Sequence, residues 1–238
     1  MKPFSVVLAI ALAIAVALPS AASTSVPNPG FGTEPSLYEI YNEIYDGTPG
    51  FVPLTSNQEL HDNYHVYPAD VWVVLSSGGG PVSIEARFAG LQSTFGYYNP
   101  PGAVAPAYTA MGTVTSQGYN PTVAWTPGFA PPNNVIPDAA NPFGLFMLAG
   151  GQYWHSEEAL NPGGFNALRV YKAPAGHPVA NEYVFAWEDR GAAGDRDFND
   201  LVLTISNVRV IPEPTSMLLL GLGLAGAAVR RLRKQSAA

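Results

Sequence analysis

Apolar residues recur at Leu37, Ile40, Tyr41, Ile44 and Tyr45. That i, i+3, i+4, i+7, i+8 spacing lines up one stripe and predicts an amphipathic helix. Ser36 and Glu39 stand where a capping box needs them, and Gly47 stops the helix. Ser56 and Glu59 repeat the capping pattern and predict one short helical turn before His61. Beyond it the period falls to two. Strands are predicted at VWVVLS (71–76), VSIEARFAG (82–90), TFGYY (94–98) and GLFMLAG (144–150). Further strands are predicted at FNALRVYK (165–172), NEYVFAWE (181–188) and DLVLTISNVRV (200–210). Tyr183, Phe185 and Trp187 take one face of their strand and Val184 and Ala186 the other, while Leu201, Leu203 and Ile205 share a face. Turns are marked by GGGP (78–81), NPPG (99–102) and PPNN (131–134), and the weakly patterned stretch 100–142 predicts long loops with a strand or two. Short strands punctuated this way predict a mainly β domain over 36–210. The expected form is an antiparallel two-sheet β-sandwich with one N-terminal amphipathic helix.

Both ends break this pattern. Lys2 precedes an uninterrupted apolar run over 4–18, and small residues at Ser20 and Ala22 follow, the order of a secretory signal peptide cut after Ala22. Residues 1–22 are therefore read as that signal, and the Pro-, Gly- and Ser-rich stretch 23–35 as a linker. At the other end Pro212, Glu213 and Pro214 precede an apolar run over 217–229, then Arg230, Arg231, Arg233 and Lys234. The two prolines cannot continue a helix, so they separate body from tail. The run is shorter than the ~20 residues of a comfortable membrane span. With flanking residues (215–229) and snorkelling arginines it predicts a short transmembrane helix, its basic end (230–234) cytoplasmic and the body outside.

Composition narrows the class. Charged residues make up 12% of the chain, which suits turn-linked strands better than long surface helices. Residues 23–211 hold six basic and seventeen acidic side chains, net −11, so nucleic acid is excluded as a partner and cations are attracted. The chain has no cysteine, which removes disulfides, thiolate catalysis and Cys-based zinc sites.

The acids are not evenly spread. Glu188, Asp189, Asp195, Asp197 and Asp200 fall within thirteen residues, with Asn199 among them. A Gly-containing loop, RGAAGDR, joins the strands on either side and predicts a hairpin with all six residues at its tip. Carboxylates held that close repel one another, and a divalent cation offsets this best. Calcium takes about six to eight hard oxygen ligands, which Asp, Glu, Asn and backbone carbonyls supply. The absence of histidine from the stretch argues against zinc or copper. It is not an EF-hand: counting from Asp195, position six is Asp200 and position twelve is Ser206. Two other readings of the spacing stay open, a solvated turn that needs no metal and a carboxylate pair for hydrolysis.

Other constellations are weaker. His61 and His65 are four apart, as in H-E-x-x-H, but no third ligand follows, so they read as a surface pair. There is no Gly-x-Ser-x-Gly elbow. Tyr97, Tyr153 and Trp154 suit a sandwich core better than a sugar-stacking face.

The tail resembles the PEP-CTERM sorting signal, in Pro212, Glu213 and Pro214, the short Gly/Leu-rich span and the arginines, over 211–238. The resemblance implies an exported protein of a Gram-negative envelope. It also implies cleavage by an exosortase, a membrane protease, and release from a transient membrane anchor to the surface or extracellular matrix. The run FAWEDRGAAGDRDFNDLVLTI is similar to the closing signature of the domain-of-unknown-function family 4114, through Glu188, Asp189, Asp195, Arg196, Asp197, Phe198, Asn199 and Asp200. SLYEIYNEIYDG and SEEALNPGGF also look like parts of members, so the resemblance runs over roughly 36–209. It implies a mostly β exported domain with a cation site and no established activity. Where many members carry Asp-His after the Asn-Pro-Gly loop, this chain has Asn166 and Ala167, which weakens any ligand set that used that pair. Glu157 and Glu158 read as capping or surface residues rather than as further ligands.

The expectation is a non-enzymatic envelope or matrix protein that binds calcium at its acidic hairpin. The alternative is a calcium-dependent exopolysaccharide-binding module. A glycoside hydrolase is least favoured, because a hairpin tip offers little cleft and exposed acids stay ionised.

Overall fold

The computed structural model describes residues 34–66, 70–103 and 105–211. The expected signal peptide, most of the linker and the sorting tail from residue 212 lie outside them. The elements, in chain order, begin with α1 (Leu37–Tyr45), α2 (Asn57–Tyr64), β1 (Trp72–Val74), β2 (Gly80–Arg87) and β3 (Ser93–Asn99). Next come β4 (Ala107–Val114), β5 (Gly118–Tyr119), β6 (Val123–Trp125), β7 (Val135–Ile136), β8 (Gly144–Ala149) and β9 (Gln152–His155). The last four are β10 (Leu168–Lys172), β11 (Tyr183–Trp187), β12 (Leu201–Ile205) and β13 (Val208–Val210). The protein is thus mainly β, and every strand pair described is antiparallel.

The first sheet runs β10-β11-β12-β2, with β5 and β7 sharing the outer edge of β2 at its two ends. The second runs β6-β4-β3-β8-β9. One apolar core joins them: Ile84, Phe185, Trp187 and Leu203 of the first sheet belong to the same buried cluster as Phe95, Met111, Leu145 and Met147 of the second. The opposite face of the first sheet is covered too. Val184, Ala186, Val202 and Tyr171 pack with Leu37, Ile40, Tyr41 and Tyr45 of α1 and Leu60 of α2. The alternation along β11 therefore separates two apolar environments rather than core from water.

The helix caps are those expected. The Ser36 N–H donates to Glu39 Oε2 at 2.7 Å, and the Glu59 N–H donates to Ser56 Oγ at 3.1 Å. The Tyr41 hydroxyl donates to the Lys172 carbonyl at 2.7 Å and fixes α1 over the sheet.

Several expectations need correction. Stretch 100–142 holds four strands, one of them eight residues long, because β4 draws its order from pairing with β3 and not from its own alternation. Residues 152–155 form β9, the edge partner of β8. The predicted strand 200–210 is broken at Ser206–Asn207, where Asn207 has φ 58°, so its end leaves the first sheet and pairs with β1. His61 and His65 are not a surface pair: they are half-buried, with stacked rings 4.1 Å apart. Burial, then the neighbouring His61 and Arg169, pushes the His65 imidazole down to about 4. Tyr97 and Trp154 lie in the core as expected, whereas Tyr153 is half-buried and stacks on Tyr108 at 4.3 Å. No helix among the described residues is long and apolar enough to cross a membrane, and the expected span 215–229 lies outside them.

Since Ile40 is fully buried between α1 and the first sheet, Ile40→Ala should lower the unfolding free energy by about 2–5 kcal/mol in a denaturant titration. A loss below about 0.5 kcal/mol would mean that α1 is not part of the cooperative unit.

Candidate metal centre

β11 and β12 pair from Tyr183↔Ile205 to Trp187↔Leu201, and residues 188–200 close the hairpin beyond the last pair. Two anchors pull this loop into the body. Phe198 is 3% exposed and joins the helix-side core, with the Arg169 guanidinium 4.4 Å over its ring. Gly191, at φ 59°, lies against the Trp154 ring, whose Nε1–H donates to the Asp189 carbonyl at 2.8 Å. A side chain at Gly194 would collide with the Glu188 carboxyl, so only glycine lets that acid turn inward. Arg196 and Phe198 adopt φ 61° and 58°, a left-handed conformation uncommon outside glycine. These two residues bracket Asp197, and strain at such a position is typical of a functional loop.

The expected residues come together in two trios. Carboxylate oxygens of Glu188, Asp195 and Asp197 lie within 4.8 Å of one another, and so do those of Glu188, Asp189 and Asp200. Glu188 belongs to both. Asn199 plays another part: its side-chain N–H donates to the Pro35 carbonyl at 2.9 Å and ties the start of the body to the tip. Asn166 is exposed and accepts from the Leu168 N–H, and Glu157 accepts from the Tyr98 hydroxyl and the Gly102 N–H. Neither belongs to the trios, so the departure at Asn166 and Ala167 leaves the acidic centre intact. Glu34, within the expected linker 23–35, lines the same groove as the acids, a position legible only from the fold. That groove, of about 680 Å³, also has Phe88, Gln117, Glu188, Asp189, Asp195 and Asp200 in its wall.

The acids are not the exposed, ionised set expected of a hairpin tip. Glu188, Asp189 and Asp197 are 1%, 4% and 3% exposed. The fold fixes each through one oxygen and leaves another unpaired. Glu188 Oε1 accepts from the Arg190 N–H at 3.3 Å, and Asp197 Oδ1 accepts from the Asn199 N–H at 3.3 Å. Asp189 Oδ1 has Arg190 Nε at 3.8 Å. Glu188 Oε2, Asp189 Oδ2 and Asp197 Oδ2 are buried with no hydrogen-bond partner. Asp200 Oδ2 accepts from the Asp189 N–H at 2.6 Å. Burial, and then neighbouring carboxylates, pushes Glu188 and Asp197 up to about 7 and Asp200 up to about 9. Burial also raises Asp189, and raises Glu34 together with the charge of Asp195. Arg87 faces Asp189 and Asp200, but its Nη atoms are bonded to the carbonyls of Ser116 and Leu91.

Residues 132–207 match the domain of unknown function DUF4114. Residues 210–234 match the PEP-CTERM protein-sorting motif. The DUF4114 match spans β7 to β12 and so contains the whole acidic tip, while α1, α2 and the first strands lie outside it. It is therefore narrower than the resemblance read over 36–209. The PEP-CTERM motif marks an exported protein sorted through an exosortase at the membrane of a Gram-negative bacterium. No curated protein and no solved structure matches the chain.

The buried acids carry a pH dependence. An acid whose folded pKa lies above its unfolded value of about 4 holds its proton more tightly in the fold. Its contribution to stability is present below that value and is lost as pH rises through the folded pKa. In chelator, the melting temperature should therefore fall between about pH 4 and pH 9, most steeply between about pH 5 and pH 7, where the unfolded acids are ionised while Glu188, Asp197 and Asp200 still hold their protons in the fold. A flat profile across that range would show that these acids are solvated.

Proposed function

We propose that this is a non-enzymatic exported envelope or matrix protein whose β11–β12 tip is a calcium centre that holds the body in its folded form. The observation that carries this reading is a set of three buried, unpaired carboxylate oxygens in one loop, on Glu188, Asp189 and Asp197, with the Glu188 carboxylate belonging to both acidic trios. An unpaired buried acid is costly, and a divalent cation removes the cost by taking those oxygens as ligands. The donors are all oxygen, which favours a hard ion, and the loop offers the irregular geometry that calcium accepts and magnesium resists. Backbone carbonyls and water would complete the shell.

The groove beside the tip, with Phe88 and Gln117 in its wall, favours a second reading. In that reading the ion presents the protein to an exopolysaccharide, whose hydroxyls would complete the shell. The sorting tail delivers the body to that setting: the exosortase cuts near Pro212, Glu213 and Pro214, after the span has held the chain in the inner membrane, and the body reaches the surface or matrix.

Calcium that binds only the folded state stabilises it by mass action. At about a hundred times the dissociation constant the full chain in detergent should melt about 5–10 °C higher than in chelator. Extracellular-type sites bind as weakly as ~10⁻⁴–10⁻³ M, so millimolar calcium belongs in the titration. Asp197→Asn/Asp200→Asn should reverse the order, melting above the wild type in chelator at pH 8 and gaining little from calcium. Equal melting with and without calcium in the wild type would sink the proposal. Separately, co-expression with an exosortase should yield a wild-type body whose mass lacks the tail, while Glu213→Ala keeps it. Identical masses would remove Glu213 from recognition.

A further inference from the structure

Glu188 stands between two sets of acids, not inside one. Asp195 and Asp197 form one set with it and Asp189 and Asp200 another, the ligand oxygens of each set lying within 4.8 Å of one another. The unpaired buried oxygens follow the same division. Asp197, of the first set, and Asp189, of the second, each carry one such oxygen, and so does Glu188, which belongs to both sets. Resting on the calcium reading above, we propose that the tip holds two calcium ions bridged by the Glu188 carboxylate.

One ion leaves a problem that two solve. A cation on Glu188, Asp195 and Asp197 does nothing for Asp189 Oδ2, which is buried beside Asp200. The protein's own cations do not reach it well. Arg190 Nε is 3.8 Å from the other oxygen of Asp189, and its side chain is 63% exposed. The Arg87 guanidinium is turned to the carbonyls of Ser116 and Leu91. Glu188 is suited to bridge, since a carboxylate can give one oxygen to each of two cations. Its contact with the Arg190 N–H, at 3.3 Å, is long enough to yield.

The two positions differ in charge. Glu34 stands near Asp195 and adds a further acid on the first side. On the second side Arg87 and Arg190 subtract from the charge of Asp189 and Asp200. The first ion therefore binds more tightly than the second. Asp195 of the first set and Asp189 and Asp200 of the second all line the open groove, so an outside ligand can reach both positions.

Equilibrium dialysis of the full chain in detergent against calcium alone, up to several millimolar, counts the ions directly. The wild type should bind about two per chain in two unequal steps. Asp197→Asn should retain only the weaker step and Asp189→Asn only the tighter one, while Glu188→Gln weakens both. These replacements keep side-chain shape and remove buried charge, and a thermal melt in chelator checks that each variant folds. If a variant fails to fold, the wild-type count still decides. One ion per chain in the wild type overturns the bridged pair and leaves the calcium centre standing. Zero overturns the calcium centre itself. Two ions that survive both Asp variants place the second ion elsewhere and also overturn the bridge.

Discussion

Strands β11 and β12 are covered on both faces, by the second sheet on one side and by α1 and α2 on the other. Every side chain between Val184 and Trp187, and between Leu201 and Ile205, must therefore be compatible with burial, and all of these positions are buried. A doubly covered strand pair leaves no room for charge along its length. Its polar groups are displaced to the ends, and the end beyond Trp187 and Leu201 is where the acids stand. The acidic loop follows directly from the packing of the strands that carry it.

The loop does not escape into water, because it is pinned to both cores. Phe198 enters the helix-side cluster, and Gly191 closes against Trp154 of the core between the sheets. Between these pins Glu188 and Asp197 are each oriented by a backbone N–H on one oxygen and left bare on the other. Burying several like charges side by side opposes folding, and the left-handed backbone at Arg196 and Phe198 adds strain. A fold that spends stability in this way is consistent with a loop completed by something from outside. Through Asn199 and Pro35 the same loop grips the segment that leads into α1.

The PEP-CTERM motif sits at the margin of this arrangement. The Ile211 N–H donates to the Val71 carbonyl at 2.8 Å, so the body stays backbone-paired up to the residue before Pro212. The PEP-CTERM motif thus begins where the β1–β13 pairing stops. Proline, lacking an N–H, ends such a ladder as naturally as it ends a helix. The sorting motif and the paired backbone meet at residues 210–211.

Local periodicity was enough to place α1, its cap, and the two faces of β11, because those depend on neighbours within a few residues. The gathering of the six acidic-loop residues at one tip was legible as well, since a hairpin brings together what lies on either side of its turn. Periodicity was silent on β4, whose outer end is half exposed and whose order comes from β3, and on the break at Asn207, which a left-handed residue imposes on an otherwise continuous apolar run. It was also misleading about the environment of the acids. Sequence alone determined which carboxylates meet. Only the tertiary structure decided that Glu188, Asp189 and Asp197 are buried, that Glu188 belongs to both trios, and that Glu34 lines the same groove. The physical reason is that desolvation depends on what packs over a residue, and the residues that pack over this loop come from α1, β9 and β10, far away in the chain.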